Sequence, residues 1–183
     1  NSSMASACSV GLVKVRDGQV VDRIGWFIRP PAGHDHFIEW NTRIHGITPE
    51  MIVDAPTWVD QMPDLLDFAG DDPLVAHNAG FDMGVIKAAC VATGFTVPTY
   101  TYFCSLQIAR NTYTLDSYRL PSVALAAGYA DFPHHDAVAD AEACAAIIIN
   151  AAERHGAVDV PELTAKSGVR ISMITQPPAA AIA

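Results

Sequence analysis

The stretch L-V-A-H-N-A-G-F-D, residues 74–82, marks a junction between a strand and a helix. Residues 73–77 are a short apolar run bounded by two aspartates, which predicts a buried strand. Asn78 belongs to the residue types that cap helices, and Asp82 then falls in the first helical turn, where the helix dipole favours an ionised carboxylate. Ligands commonly bind at the carboxyl ends of strands in open α/β sheets. Asp82 is therefore a candidate site residue, although an ordinary capped helix explains the same pattern.

The segments on either side of this junction predict alternating strands and helices. Residues 7–15 and 20–28 flank a turn, which is typical of a β-hairpin, and residues 100–104 predict another strand. Helical spacing and capping residues predict helices over residues 48–54, 56–70, 78–94, 105–112, 118–127 and 136–155. This order indicates an α/β fold with a mixed sheet.

The length of 183 residues suits one domain followed by a tail. We expect the domain over residues 1–156, and over 157–183 a short helix at 161–167 and a flexible Pro/Ala-rich tail from 176. No apolar run reaches the ~18 residues of a membrane span, and the first residues lack a signal-peptide pattern. We therefore expect no membrane association.

The composition is that of a globular protein with an acidic balance. Half of the residues are hydrophobic and 17% are charged, which excludes a disordered or fibrous chain. The net charge is −9, whereas domains that bind nucleic acid through bulk charge are usually basic. A polyanionic partner would need bound cations or local basic side chains. Four widely spaced cysteines in apolar stretches predict free thiols and a cytoplasmic location: Cys8, Cys90, Cys104 and Cys144.

Two further stretches carry chemically capable side chains. In H-H-D-A-V-A-D, residues 134–140, Asp136 and Asp140 share a helix face, where like charges repel unless something cationic lies there. His135 is close enough in sequence to share a site with Asp140. A capped helix with a solvated acidic face is the alternative, and zinc is disfavoured because no H-E-x-x-H pair accompanies these residues. The stretch I-H-G-I-T places His45 in a loop before a helix.

The order of these three stretches resembles the DEDDh family of 3′→5′ exonucleases, which includes the proofreading ε subunit of bacterial DNA polymerase III. The resemblance covers residues 7–156 and rests on T-R-I-H-G-I-T-P-E-M, L-V-A-H-N-A-G-F-D and H-x-x-x-x-D. It implies a ribonuclease-H-like fold, with a mixed five-stranded sheet flanked by helices. It also implies a metal-dependent enzyme that releases nucleoside monophosphates from DNA 3′ ends, in proofreading or repair.

The resemblance also assigns roles to individual residues. Asp82 and Asp140 would bind metal, and His135 would be the general base because it, rather than His134, has the four intervening residues before Asp140. Asn78 would hold the strand–helix junction. The residues expected against the substrate are His45, Gly46, Ile47 and Asn78.

The implied cofactor is Mg²⁺ or Mn²⁺, with two ions in a complete site, because carboxylate oxygens suit hard cations. The implied substrate is a single-stranded nucleic-acid 3′ end, and a DNA polymerase catalytic subunit is the protein partner that the resemblance suggests. Basic residues that could contact the nucleic-acid backbone are Lys87, Arg110 and Arg119. The sequence does not indicate an oligomeric state.

One departure from the family concerns its first motif, an Asp-x-Glu pair on the first strand. The first acidic residue here is Asp17, which already lies in the hairpin turn. We therefore expect the strand that carries this pair to precede Asn1. If the 183 residues were the whole molecule, we would expect weak metal binding and no nuclease activity. An intact mass matching 19.5 kDa would contradict the missing strand.

Three other interpretations remain open at this stage. An RNA 3′→5′ exonuclease of the same fold would show the same motifs, because the 2′-hydroxyl is recognised by pocket geometry. A catalytically inactive interaction module would keep the fold, although it would have no reason to retain Asp82, His135 and Asp140 together. A soluble α/β domain of another role is the least specific alternative.

Overall fold

The computed structural model describes residues 3–175, which form an α/β unit of five strands and eight helices. The strands are β1 (Ser9–Arg16), β2 (Gln19–Phe27), β3 (Leu74–Ala76), β4 (Tyr100–Cys104) and β5 (Ser172–Ile174). The helices are α1 (Glu39–His45), α2 (Pro49–Ile52), α3 (Trp58–Ala69), α4 (Ala79–Thr93), α5 (Ser105–Thr112), α6 (Leu120–Ala126), α7 (Ala137–His155) and α8 (Val160–Ser167). The tail predicted from residue 176 lies outside the described residues.

The strands form two sheets. β1 and β2 are an antiparallel hairpin, as predicted, with Ser9 opposite Phe27. β3 and β4 pair in parallel and β5 joins β4 antiparallel, so the second sheet is mixed. The resemblance implies a single five-stranded sheet, but the strands within residues 3–175 form two separate sheets. No described strand pairs with both β1 and β3 at the usual spacing of about 4.8 Å, so the two sheets are not joined into one.

Helix α7 connects the two sheets by packing against β1, β2 and β3. Its first turn lies on two glycines, Gly11 and Gly25, which face each other across the hairpin. A Cβ on Gly11 would stand 2.2 Å from the backbone of Ala137, and a Cβ on Gly25 would stand 2.3 Å from Val138 Cγ2. Because only glycine permits this approach, the two glycines fix the position of the first turn of α7 against the hairpin, and with it the position of Asp140.

Three clusters of buried side chains hold the helices in place. Trp58, Met62 and Leu65 of α3 pack with α4 and β4, and Ile147 of α7 packs with α6. Leu163 of α8 is 1% exposed in a third cluster with residues of α5 and α7. Among the described helices, none is long and apolar enough to cross a membrane.

Two described elements were not predicted. Helix α1 includes His45, which was expected in a loop, and none of its residues is buried. Strand β5 has three residues and pairs with the distant β4. Helix α8, predicted over 161–167, contacts α5 and α7. The domain division at residue 156 stays a prediction, with α8 and β5 packed on the same unit.

Candidate active site

Asp82 lies in the first turn of α4, directly after the β3 junction. Burial, with a smaller contribution from the nearby Asp140 carboxylate, raises the pKa of its carboxyl from 3.8 to about 6. The helix dipole was expected to favour the ionised form, but the loss of hydration outweighs it. A nearby cation would stabilise the ionised form of a desolvated carboxylate that lies near a second carboxylate.

Asn78 occupies the junction through its backbone. Its φ of +78° is left-handed, a conformation that Asn tolerates better than most residues. The predicted capping role is wrong, because its side chain makes no capping hydrogen bond. Instead its carbonyl accepts a hydrogen bond of 2.9 Å from the Phe81 N–H, which closes the turn into α4. The prediction that Asn78 itself contacts substrate is not tested by this arrangement.

The second part of the site lies where α7 begins. The ligand atoms of His134, His135 and Asp140 all lie within 4.8 Å of one another. His134 Nδ1 is 2.7 Å from Asp140 Oδ1, and the backbone N–H of His135 donates to the same oxygen at 3.3 Å. The two imidazole centroids are 3.8 Å apart, and His135 has a left-handed φ of +76°. The side chain that contacts Asp140 in the structure is thus His134, whereas the assignment of His135 as general base stays a prediction.

Asp136 has a structural role beside this cluster. Its side chain caps α7 by accepting hydrogen bonds from the backbone N–H groups of Val138 and Ala139, at 3.1 and 2.9 Å. The predicted repulsion between Asp136 and Asp140 is thereby accommodated, because the capping donors and the helix dipole stabilise the Asp136 carboxylate. Asp140 is left as the acidic side chain of this stretch that faces the site.

His45 approaches the same cluster from α1. It is the last residue of that helix, and Gly46 follows as its C-cap with a left-handed φ of +71°. The Ile47 N–H donates to His45 Nδ1 at 3.0 Å, so the neutral ring carries its proton on Nε2. Burial, and then the charge of His135, lower the pKa of His45. His45 and His135 are therefore neighbours, as a shared site requires.

His77 is a site residue that the sequence analysis did not single out. It is half-buried and directly follows β3. Its Nε2 lies 2.8 Å from the Tyr118 carbonyl and its Nδ1 lies 3.0 Å from Ser105 Oγ. A carbonyl only accepts, so Nε2 carries the proton. Burial lowers the pKa of His77, and the ring joins β3, α5 and the loop before α6.

The three basic residues predicted to contact nucleic acid lie on different helices. Arg110 is in the last turn of α5 and close enough to His77 for its charge to lower the pKa of that ring. Lys87 lies within α4, and Arg119 is the N-cap residue of α6. Arg110 is thus linked to the site by its charge, while backbone contact by any of the three stays a prediction.

The donor set fits a divalent cation. The charge of Asp140 adds to the effect of burial in raising the Asp82 pKa, and both carboxylates offer the hard oxygen atoms that such ions prefer. The desolvated Asp82 carboxylate would be stabilised by a positive charge, which the acidic chain does not itself place there. Asp82 and Asp140 are the residues that would hold the ion.

Comparison with known proteins shows the family to which this chain belongs. The sequence model of a family described as "Exonuclease" matches residues 4–148, so the chain belongs to the exonuclease family. It is 36% identical over 146 residues to the PolC-type DNA polymerase III of Caldanaerobacter subterraneus subsp. tengcongensis, covering 79% of this chain and 10% of that protein. The corresponding figures for the Clostridium perfringens PolC-type polymerase are 35% over 140 residues, 76% and 9%. The chain thus spans about a tenth of these relatives' length.

Solved structures show the same fold at low sequence identity. Exonuclease X, solved in complex with 5′ overhanging duplex DNA, superposes with a TM-score of 0.70 at 22% identity, over 91% of this chain and 95% of that one. The nuclease domain of 3′hExo, a DEDDh family member solved with bound rAMP, gives a TM-score of 0.70 at 14% identity, over 90% and 84%. The predicted α/β class and ribonuclease-H-like fold are confirmed.

Proposed function

We propose that this protein is a metal-dependent 3′→5′ exonuclease that releases nucleoside monophosphates from DNA 3′ ends, in proofreading or repair. The observation that carries the proposal is that Asp140, in the His134–His135–Asp140 cluster, lies near enough to Asp82 for its charge to act on that carboxyl. These side chains lie at the starts of two helices, α4 and α7, that are distant in sequence. Two ordinary helix caps would not need to lie close together.

Asp82 and Asp140 would hold Mg²⁺ or Mn²⁺, and a complete site of two ions would take further carboxylates. A bound divalent ion supplies Lewis-acid stabilisation of the charge that develops on the phosphate. The protein's own contribution is to hold the two carboxylates in fixed positions. β3 and α4 position Asp82, and the contact of α7 with Gly11 positions Asp140.

His135 would act as the general base, taking a proton from the attacking water. Its imidazole is exposed and can exchange that proton with solvent. His45, Gly46, Ile47 and Asn78 would lie against the terminal nucleotide. His45 could donate a hydrogen bond through Nε2, since Nδ1 already accepts from Ile47.

DNA is the proposed substrate because PolC-type DNA polymerases are among the relatives, and a polymerase catalytic subunit is the proposed partner. RNA is the second candidate, since a structurally similar 3′-exonuclease is described in 3′-end specific recognition of a histone mRNA stem-loop. The proposed location is the cytoplasm, which the four unpaired cysteines support.

The test uses the natural protein and single strands of DNA and RNA of one sequence, labelled at the 3′ end. We expect release of labelled mononucleotide that requires Mg²⁺ or Mn²⁺ and is faster on DNA. Asp140→Ala should reduce the rate by at least roughly 10³-fold, because it removes a ligand worth several kcal/mol, with an unchanged circular dichroism spectrum.

The matched control is Glu153→Ala, which removes an exposed acid from the other end of α7 and should keep full activity. Faster release from RNA would favour the second candidate. Unchanged release by Asp140→Ala would reject the site assignment, and a natural protein that binds 3′ ends without cleaving them would be an interaction module.

A further inference from the structure

A hydrogen-bond network connects the two helices that carry the candidate metal ligands. It begins at Cys144 of α7, whose Sγ lies 3.4 Å from Ser105 Oγ. From that oxygen it continues over 3.0 Å to His77 Nδ1, and it ends at the Tyr118 carbonyl, 2.8 Å from His77 Nε2. The network therefore joins α7, the first residue of α5, the residue after β3 and the loop before α6.

The hydrogen bonds of this network have a definite direction. Burial lowers the pKa of His77, so the ring is neutral at pH 7, with its proton on Nε2 and with Nδ1 accepting from Ser105. The Ser105 hydroxyl has a single hydrogen, and its other acceptor, the Ala76 carbonyl, is farther away at 3.3 Å. The Cys144 thiol donates to Ser105 Oγ, and burial raises the pKa of that thiol, so it keeps its hydrogen. Each donor thus has an acceptor, and such a network favours one arrangement of its segments.

The centre of the network is closed to solvent. Ser105 is 0% exposed and Cys144 is 5% exposed. Ala76 of β3 pairs with Cys104 of β4, so the residues that follow them, His77 and Ser105, leave the sheet side by side. Because α7 is not part of the sheet, the contact between thiol and hydroxyl is a polar link that holds this helix against the ends of the two strands.

Both candidate metal ligands lie close to this network. Cys144 is one helical turn after Asp140 on the same face of α7, and His77 directly precedes the turn into α4, which carries Asp82. The charge of Asp82 adds to the effect of burial on the Cys144 pKa. The charge of Asp140 partly offsets the effect of burial on the His77 pKa. Each carboxylate thus acts on the network residue that is nearer in sequence to the other carboxylate.

We propose that His77 is a positioning residue: through its hydrogen bond to Ser105 it holds α4 and α7 at the separation at which their two carboxylates bind a divalent ion. The proposal rests on the proposed function, because it takes Asp82 and Asp140 to be metal ligands. His77 itself contacts neither ion nor substrate in this role, so its loss lowers the affinity for the ion.

The test measures Mn²⁺ binding to the natural protein without substrate, from the electron paramagnetic resonance signal of the free ion. His77→Gln keeps a donor near the Nε2 position but loses the acceptor for Ser105, whereas His77→Asn keeps an acceptor near the Nδ1 position. We expect His77→Gln to raise the Mn²⁺ dissociation constant about tenfold, as for other residues that support metal ligands. His77→Asn should raise it by about threefold at most, because the link to Ser105 is kept.

A double-mutant cycle tests whether the two side chains act through one link. Ser105→Ala removes the central hydroxyl and should also raise the Mn²⁺ dissociation constant about tenfold. The variant that combines His77→Gln with Ser105→Ala should lose about tenfold in affinity as well, rather than about a hundredfold, because both changes break the same link. Circular dichroism checks that each variant is folded.

His155→Gln is the matched control. His155 Nε2 lies 2.9 Å from Thr112 Oγ1, so this pair is also an imidazole–hydroxyl contact between α7 and α5, but at the last residues of both helices. We expect a loss of stability in urea similar to that of His77→Gln and an unchanged Mn²⁺ affinity. A general loosening of the two helices would instead lower the affinity in both variants.

Four outcomes would overturn the positioning role. They are unchanged Mn²⁺ affinity in His77→Gln and Ser105→Ala, additive losses in the combined variant, a loss in His77→Asn equal to that in His77→Gln, and an equal loss in His155→Gln. Asp140→Ala should abolish the binding, which assigns it to the site. A natural protein that binds no Mn²⁺ would overturn the positioning role and the metal assignment together. Mn²⁺ binding that depends on His77, without nucleotide release from 3′ ends, would reject the proposed exonuclease activity alone.

Discussion

Asp82 and Asp140 reach the candidate site from two differently built parts of the molecule. Asp82 belongs to a contiguous strand–turn–helix unit, beside the fully buried Ala79, and burial raises its pKa to about 6. Asp140 follows an exposed loop that carries His134 and His135, and α7 is positioned by a long-range contact with Gly11. We call these the buried half and the loop half of the site.

Both halves begin with a residue of positive φ, but the side chains that follow differ in their exposure to solvent. Each is entered through a residue of left-handed φ, Asn78 at +78° and His135 at +76°. Asn tolerates this conformation, whereas His accepts it at a greater cost. The buried half is thus arranged to hold a desolvated carboxylate rigidly, while the loop half exposes imidazoles to solvent, where protons can be exchanged.

The largest expected effect separates the two histidines of the loop half. His135→Asn removes the general base but keeps a residue that tolerates positive φ, so we expect the rate of 3′ nucleotide release to fall about 10²- to 10⁴-fold. His134→Asn should reduce it by less than tenfold, because the lost pairing with Asp140 is partly open to solvent, with the two side chains 35% and 29% exposed. Single-turnover rates on labelled DNA measure both.

The opposite ranking of these two variants would assign the base to His134, the side chain that lies 2.7 Å from Asp140. Equal losses would mean that the pair acts as one unit. Either result would revise the sequence-spacing argument for His135.

The next effect tests how the loop half is positioned. Gly11→Ala places a Cβ 2.2 Å from the Ala137 backbone, which cannot move without shifting the start of α7. We expect the free energy of unfolding to fall by about 1–3 kcal/mol, as for overpacked sites, together with a loss of activity. The control in the buried half is Gly80→Ala, where nothing lies within 4 Å of the new Cβ, so urea unfolding should show no loss of stability.

The smallest effect concerns the ionisation of the buried half. The folded-state pKa of Asp82 is raised to about 6 from 3.8, so its carboxyl favours folding at low pH and loses that contribution as pH rises through 6. Asp82→Asn should therefore be more stable than the wild type by about 3 kcal/mol at pH 7 and nearly equal to it at pH 3.5. Urea titrations at both pH values, without divalent ions, measure this.

An Asp82→Asn variant that is less stable than the wild type at pH 7 would contradict the desolvated carboxylate. A further test of the same idea is that a divalent ion should stabilise the wild type more at pH 7 than at pH 5, where Asp82 is mostly protonated.

Elements with strong local signals were predicted closely from the sequence. β4 and α5 have the predicted bounds, and α7 begins one residue after its predicted start because Asp136 is its cap. Helix α1 was missed because it has seven residues, no buried face and, at Ile38, an N-cap without a capping side chain. Strand β5 was missed because three residues have no periodicity, and their pairing depends on β4 about seventy residues away.

Within the site, the sequence indicated which residues carry the chemistry but not their contacts. It predicted Asp82, Asp140 and His45 near one another. In the structure Asp140 clusters with His134 and His135, and charge effects link Asp82 to Asp140 and His45 to His135. It did not indicate His77, whose partners Ser105 and Tyr118 are 28 and 41 residues away in the chain. The capping role of Asn78 was wrong because a left-handed residue cannot present its side chain to the helix N–H groups as an extended cap residue does.

The sequence by itself determined the strand–helix junction before Asp82, the spacing of His135 and Asp140, and the hairpin turn, because these depend on local conformational preferences. Only the tertiary structure decided that Asp82 is desolvated, that His134 is the ring against Asp140, and that His45 lies near His135. Solvent exclusion and charge–charge contact act through space between distant segments, so they appear only when α7 lies on the hairpin and α4 follows β3.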